Sequence, residues 1–140
     1  EDFEVPFGKA RIRKAGEDLT IITYGNATHL RLDAAKKLEE EGYSVEVIDL
    51  RSLVPLDEET ILESVQKTNK VLVAHEDKVF GGFGGELSAI ITEKAFKYLD
   101  APVKRVGSTF TPVGFNPILE RAILPDMKRI YDAAKELISY

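Results

Sequence analysis

The strongest constraint on how this chain can fold is a hydrophobic period that switches repeatedly between two values. Short β-branched runs alternating at period two are followed by longer runs in which apolar residues return every three or four positions. Strands and helices in that order build βαβ units around a parallel sheet. Residues 19–24, 45–50, 71–74 and 103–106 supply the apolar strands, expected to be parallel and central, and a more polar alternating segment at residues 10–14 precedes them. The link Lys14-Ala15-Gly16-Glu17-Asp18 is short and turn-like. The polar strand is therefore expected to pair with the first apolar one as an antiparallel hairpin at a sheet edge.

Four helices fit between and after these strands. Leu30, Ala34 and Leu38 line one helix, with Thr28 as its expected cap and Gly42 as its stop. A second opens at Asp57, places Glu58 and Glu59 where the helix dipole favours negative charge, and buries Ile61, Leu62 and Val65. A third uses Leu87, Ile90, Ile91, Ala95 and Tyr98, and the last carries Met127, Ile130, Tyr131, Ala134, Leu137 and Ile138 on one stripe. Residues 107–125, rich in Thr, Pro and Gly, read as one long irregular segment of the kind that serves function or an interface.

Composition narrows the function classes. A chain of 140 residues with 44% hydrophobic content is sized for one core, so residues 1–140 are expected to form a single domain. The first residue is Glu, and the domain is expected to be excised from a longer chain. Apolar runs of about six residues fall far short of the ~20 that a membrane span needs. With 24 acidic against 19 basic residues the net charge is −5, which opposes the phosphate attraction behind general nucleic-acid binding. Lys9, Arg11, Arg13 and Lys14 read as a solvated strand edge. The absence of cysteine removes disulfides and thiolate metal sites and suits a reducing compartment, so a cytoplasmic location is expected.

Chemistry is sparse. Gly81, Gly82, Gly84 and Gly85 precede a helix and invite a phosphate cradle, but they match neither the dinucleotide nor the P-loop fingerprint. Glu86 would also repel a phosphate, so close backbone packing or a subunit contact is the preferred reading. His75, Glu76 and Asp77 end a strand, at the edge where open α/β sheets bind ligands. His29 could join His75 at a metal, yet a catalytic metal wants three convergent ligands, and a hydrogen-bonded histidine at a strand end is the simpler alternative. No Gly-x-Ser-x-Gly elbow occurs, Ser88 and Ser108 lack an evident base, and Asp49 with Arg51 reads as a structural pair.

Several stretches in a fixed order carry more information. They are Tyr24-Gly25, Asp49-Leu50-Arg51-Ser52-Leu53-Val54-Pro55-Leu56-Asp57, His75-Glu76 with Gly81-Gly82-Phe83-Gly84-Gly85-Glu86-Leu87, and Ala101-Pro102-Val103-Lys104-Arg105-Val106-Gly107. Thr111-Pro112-Val113 and Leu119-Glu120 before Leu124-Pro125 follow. Together they resemble the carboxy-terminal domain of the beta subunit of thiamine-diphosphate-dependent 2-oxo acid dehydrogenases, over nearly the whole chain. Gly114 departs from it, standing where many relatives carry proline.

The resemblance implies a three-layer α/β/α fold on a five-stranded mixed sheet whose first strand is antiparallel. It implies a parent oxidoreductase that decarboxylates a 2-oxo acid, of the 2-oxoisovalerate type in preference to pyruvate, and passes the acyl group to lipoamide. Thiamine diphosphate and magnesium would sit between other domains, since this chain has no Gly-Asp-Gly motif. No catalytic, cofactor-binding or metal-binding residue is therefore assigned here. The expected partners are amino-terminal domains of the same protein, an alpha subunit or fused alpha region, a second beta copy and the lipoyl acyltransferase core; nucleic acid and membrane are not among them. His75, Glu76, Phe80, Gly81, Gly82, Phe83, Phe110 and Phe115 are the candidate interface residues, the phenylalanines having core capping as their other reading. Two alternatives stay open. One is a stand-alone module holding a small anion or nucleotide at Gly82 to Gly85 and His75; the other is a different superfamily member such as a deoxyxylulose phosphate synthase, which the Asp49 to Asp57 run and Leu119-Glu120 oppose.

Overall fold

A computed structural model describes residues 4–25 and 28–140. Five strands, β1 (Arg11–Lys14), β2 (Leu19–Thr23), β3 (Val45–Asp49), β4 (Val71–Lys78) and β5 (Lys104–Ser108), form one sheet in the order β1-β3-β2-β4-β5. Strands β2 to β5 run parallel, and β1 is antiparallel at the edge. The helices are α1 (Thr28–Glu40), α2 (Glu58–Thr68), α3 (Phe83–Ala95), α4 (Pro117–Ile123) and α5 (Met127–Ile138).

Period-two alternation in the strands sorts side chains between two cores. Leu19, Ile21, Val45, Val47, Leu72 and Ala74 meet Ala34, Ala35 and Leu38 of α1 and Ile130, Ala134 and Leu137 of α5. The alternate residues Ile22, Ile48, Val71 and Val73 meet Ile61 and Val65 of α2 and Leu87 and Ile91 of α3. Two helices thus cover each face, which a parallel sheet requires.

Four expectations are corrected. β1 pairs with β3 rather than with β2, with Ile12 opposite Ile48. Instead of folding back as a hairpin, the link crosses the start of β3: the amides of Glu17 and Asp18 bond the Ser44 carbonyl at 3.1 and 2.7 Å. Gly16 makes that crossing feasible, because a Cβ there would stand 2.2 Å from the backbone nitrogen of Glu46. Second, β5 is the far edge of the sheet and not central. Third, residues 107–125 are interrupted by α4, capped by Asn116, whose side chain accepts from the Ile118 amide. Fourth, Thr28 lies inside α1 and its hydroxyl donates to the Gly25 carbonyl at 2.9 Å.

The α2 face carries a polar knot that the hydrophobic pattern conceals. Glu46, in the middle of β3, is buried. It accepts from the Ser64 hydroxyl and from Lys67 Nζ, both at 2.5 Å, and from the Gly16 amide at 3.3 Å. Thr20 of β2 joins through Ser64 and Thr68, each 2.6 Å away. Buried carboxylates persist where charge and hydrogen-bond capacity are both met, and this one ties β2, β3 and the β1–β2 link to α2. Replacing Glu46 by Ala strands Lys67, Ser64 and an amide, and is expected to cost about 3 kcal/mol. Denaturant unfolding checks this against Glu39→Ala, which removes an exposed partner of Lys14 and is expected to cost no more than about 0.5 kcal/mol.

Candidate functional site

In an open parallel sheet, ligands bind where consecutive connections leave in opposite directions, beyond the carboxyl ends of the strands. Here the connection from β2 leads to β3 on one side, and β4 lies on the other side of β2. The switch point is therefore between the ends of β2 and β4, where Tyr24 and His75 stand.

The chain fills this position with its own side chains. His75 is fully buried, and its ring stacks on Tyr24 with centroids 5.5 Å apart and planes at 22°. Phe83, at the start of α3, meets the same tyrosine edge-on at 6.2 Å. His75 Nδ1 lies 3.0 Å from the Asp77 carbonyl, to which it donates as the Nδ1–H tautomer. Three glycines close around the imidazole. A Cβ on Gly84 would fall 2.2 Å from Nε2, one on Gly107 2.9 Å from Cε1, and one on Gly82 3.1 Å from Cε1.

This geometry explains the glycine-rich segment. Gly82 and Gly84 are needed so that the start of α3 can close on a histidine, and Gly82 also approaches the Lys78 carbonyl where a Cβ would stand 2.1 Å away. Gly81 has φ of 75°, the left-handed conformation that glycine adopts without strain. The side of Gly82 and Gly84 on which a Cβ would stand is thus taken up by the imidazole, in line with the close-packing reading of these glycines.

Burial sets the charge states. It holds the His75 pKa below the ordinary 6.5, against the opposing effect of the hydrogen bond that His75 donates to the Asp77 carbonyl. It raises Tyr24 to about 12, assisted by the charge of Asp77. Arg31 of α1, the bulkiest fully buried side chain, is brought down to about 10 by burial, with Glu76 acting in the opposite sense. Sequence reasoning passed over Arg31, although it shares the helical stripe of Ala34, Ala35 and Leu38 and so belongs to the face that turns inward.

The expected interface residues divide into two groups. His75 and Phe83 turn inward, because the Tyr24 ring and the second core take them up. Glu76, Phe80, Gly81, Phe110 and Phe115 are exposed and Gly82 is half-buried. Phe80 and Phe110 touch edge-to-face at 4.8 Å while remaining 73% and 65% exposed. Val113, Phe115, Ile118 and Leu119 extend this surface, and α4 buries none of its residues.

Other sequence candidates separate. His29 is exposed on α1 while His75 is enclosed. No group of three or more metal-ligating side chains converges among the described residues. The Ser88 hydroxyl donates to the Gly84 carbonyl at 2.9 Å and that of Ser108 to the Glu76 carbonyl. Arg51 has φ of 58° and lies beyond the end of β3. Asp49 Oδ1 accepts from the Arg51 amide at 3.2 Å, a contact local to the end of β3.

Two outcomes follow from the enclosed imidazole. Gly84→Ala is expected to destabilise the domain by about 2–3 kcal/mol through overpacking, and adding His75→Ala should recover part of that loss; additive effects in chemical unfolding would contradict the contact. A histidine whose folded pKa is depressed takes up its proton more readily unfolded, so its contribution holds above pH 6.5 and is lost as pH falls below it toward the folded value. Unfolding between pH 7 and pH 5 is expected to show a steeper loss of stability for the wild type than for His75→Gln.

Comparison with known proteins agrees with the fold. The model of the transketolase C-terminal domain matches residues 8–130. The chain is 43% identical over 140 residues to the mitochondrial 2-oxoisovalerate dehydrogenase subunit beta of Dictyostelium discoideum, covering 99% of this chain and 37% of that protein. It is 40% identical over 136 residues to the pyruvate dehydrogenase E1 component subunit beta of Rickettsia felis, covering 97% and 42%. A solved split-gene transketolase, an inactive beta4 tetramer, superposes with TM-score 0.84 at 30% identity, covering 99% of this chain and 44% of that one. The chain spans about two fifths of the length of these curated relatives. The three-layer architecture with its antiparallel first strand, and the match over most of the sequence, place this chain in the transketolase C-terminal domain family.

Proposed function

We propose that this chain is the carboxy-terminal assembly domain of a thiamine-diphosphate-dependent 2-oxo acid dehydrogenase, and that it holds other parts of that enzyme together without carrying out chemistry itself. One observation carries the reading: the switch point is filled by Tyr24 and His75, while apolar side chains from Phe80 to Leu119 face outward beside it. Apolar surface left open at one edge marks an interaction site.

The parent's reaction in this reading is oxidative decarboxylation of a 2-oxo acid with acyl transfer to lipoamide in the cytoplasm. The proposed substrate is of the 2-oxoisovalerate type in preference to pyruvate; beta subunits of both dehydrogenases match this chain about equally well. The proposed partners are amino-terminal domains, an alpha subunit or fused alpha region, a second beta copy and an acyltransferase core. In this reading thiamine diphosphate and magnesium are held by the other domains of the parent. In support, the glycine turn packs against the buried imidazole, and no three metal-ligating groups converge among the described residues.

Two measurements test the proposal. Mixing the 140-residue protein with thiamine diphosphate and magnesium in a calorimeter is expected to give no saturable heat; a micromolar binding isotherm would contradict a purely assembling role. In sedimentation, the isolated domain is expected to associate with rising concentration, and Phe115→Ser with Ile118→Ser is expected to reduce that association. Self-association unaffected by this pair would place the contact elsewhere.

A further inference from the structure

Beside the apolar edge lies a pocket of about 400 Å³ lined by Val79, Phe80, Gly81, Arg105, Ser108, Thr109, Phe110 and Arg129. Its walls come from both flanks: Arg105 from β5, Arg129 from α5 and the phenylalanines from the two exposed loops.

The polar groups here are of one sign. Arg105 spends one donor on the Val79 carbonyl at 3.0 Å, and Arg129 spends one on the Gly107 carbonyl at 2.9 Å. These bonds fix both side chains and leave further guanidinium N–H groups for a ligand. Neither guanidinium has a carboxylate within ion-pair distance among the described residues. Asp126, three residues before Arg129, caps α5 instead, its Oδ1 accepting from the Arg129 amide at 2.8 Å. Lys78 adds a third positive charge with its Nζ 5.4 Å from the Phe110 ring centroid. The concentration of cations is local, since the chain as a whole carries −5.

Two fixed guanidiniums complement a dianion, and their fork geometry suits phosphate oxygens. Phe80 and Phe110, in edge-to-face contact at the same pocket, offer ring surface for a planar group attached to that anion. The volume is in the range of small-molecule sites. We propose that this pocket binds a phosphate monoester borne on an aromatic group, as in a nucleotide, with Arg105 and Arg129 holding the phosphate and the Phe80–Phe110 pair presenting its outer surface to the ring. This site lies outside the filled switch point but shares Phe80, Gly81 and Phe110 with the apolar edge read above as an interface, so ligand and partner would compete for it.

The test is a titration of the 15N-labelled 140-residue protein with phenyl phosphate, with benzoate and inorganic phosphate in parallel. Phenyl phosphate is expected to shift the amides at residues 79–81, 105, 108–110 and 129 and to saturate below about 10 mM. Benzoate and inorganic phosphate should each bind at least about fivefold more weakly, lacking respectively the second charge and the ring. Arg105→Gln and Arg129→Gln are each expected to weaken binding about tenfold with the rest of the spectrum unchanged. If one variant does not fold, the wild-type titration decides alone: raising salt from about 0.05 to 0.5 M should weaken binding severalfold. Non-saturating shifts, shifts mapping elsewhere, benzoate binding as tightly as phenyl phosphate, or affinity indifferent to salt would each overturn the proposal.

Discussion

The carboxyl edge of this domain depends on the enclosure of one imidazole. His75 sits where the sheet order reverses, stacked on Tyr24 and walled by Gly82, Gly84 and Gly107. A parallel sheet ordinarily leaves a crevice at this point, and here the crevice is closed from within. The closest of the three approaches, 2.2 Å to the missing Cβ of Gly84, leaves no room for any other residue without rearrangement. Glycine at these positions thus belongs to the packing of a side chain, whereas in a phosphate loop it would admit a ligand to the backbone.

A second constraint operates on the same face of the sheet, lower on the strands. Glu46 is buried, and it binds a lysine and a serine of α2 and a backbone amide of the β1–β2 link. Buried ion pairs seldom add much net stability but are costly to break, so the knot specifies how α2 docks more than it strengthens the docking. The same carboxylate receives the β1–β2 link through Gly16, and it therefore bears on why β1 reaches the far side of β3.

Much of this was legible in the sequence because period carries the topology. The alternation in β2, β3 and β4 identifies both buried faces, and the stripe Met127, Ile130, Ala134 and Leu137 identifies α5. The partner of β1 was not legible, because an edge strand reads the same whether its neighbour precedes or follows it, and only Gly16 hinted at a crossing. The place of β5 at an edge is likewise a matter of strand order, which local pattern does not encode. At the site, the glycines and His75 were conspicuous as separate features. Their contact was hidden, because the imidazole reaches the turn before α3 only once β4 and α3 are packed. Arg31 was masked by its charge, which ordinarily marks a solvated position.

A filled switch point beside an open apolar edge gives the domain two unlike ends of one surface: a closed centre that resists ligands and a rim that lacks cover. The central claim is that the rim is covered by the rest of a larger assembly. Hydrogen exchange measured on the free chain and on the same chain within its full parent assembly tests this most directly. The account predicts that amides around residues 80–82 and 109–123 gain protection in the assembly while those of β2 to β4 are protected in both. Unchanged exchange at residues 109–123, with new protection confined to the α1 and α5 face, would contradict it.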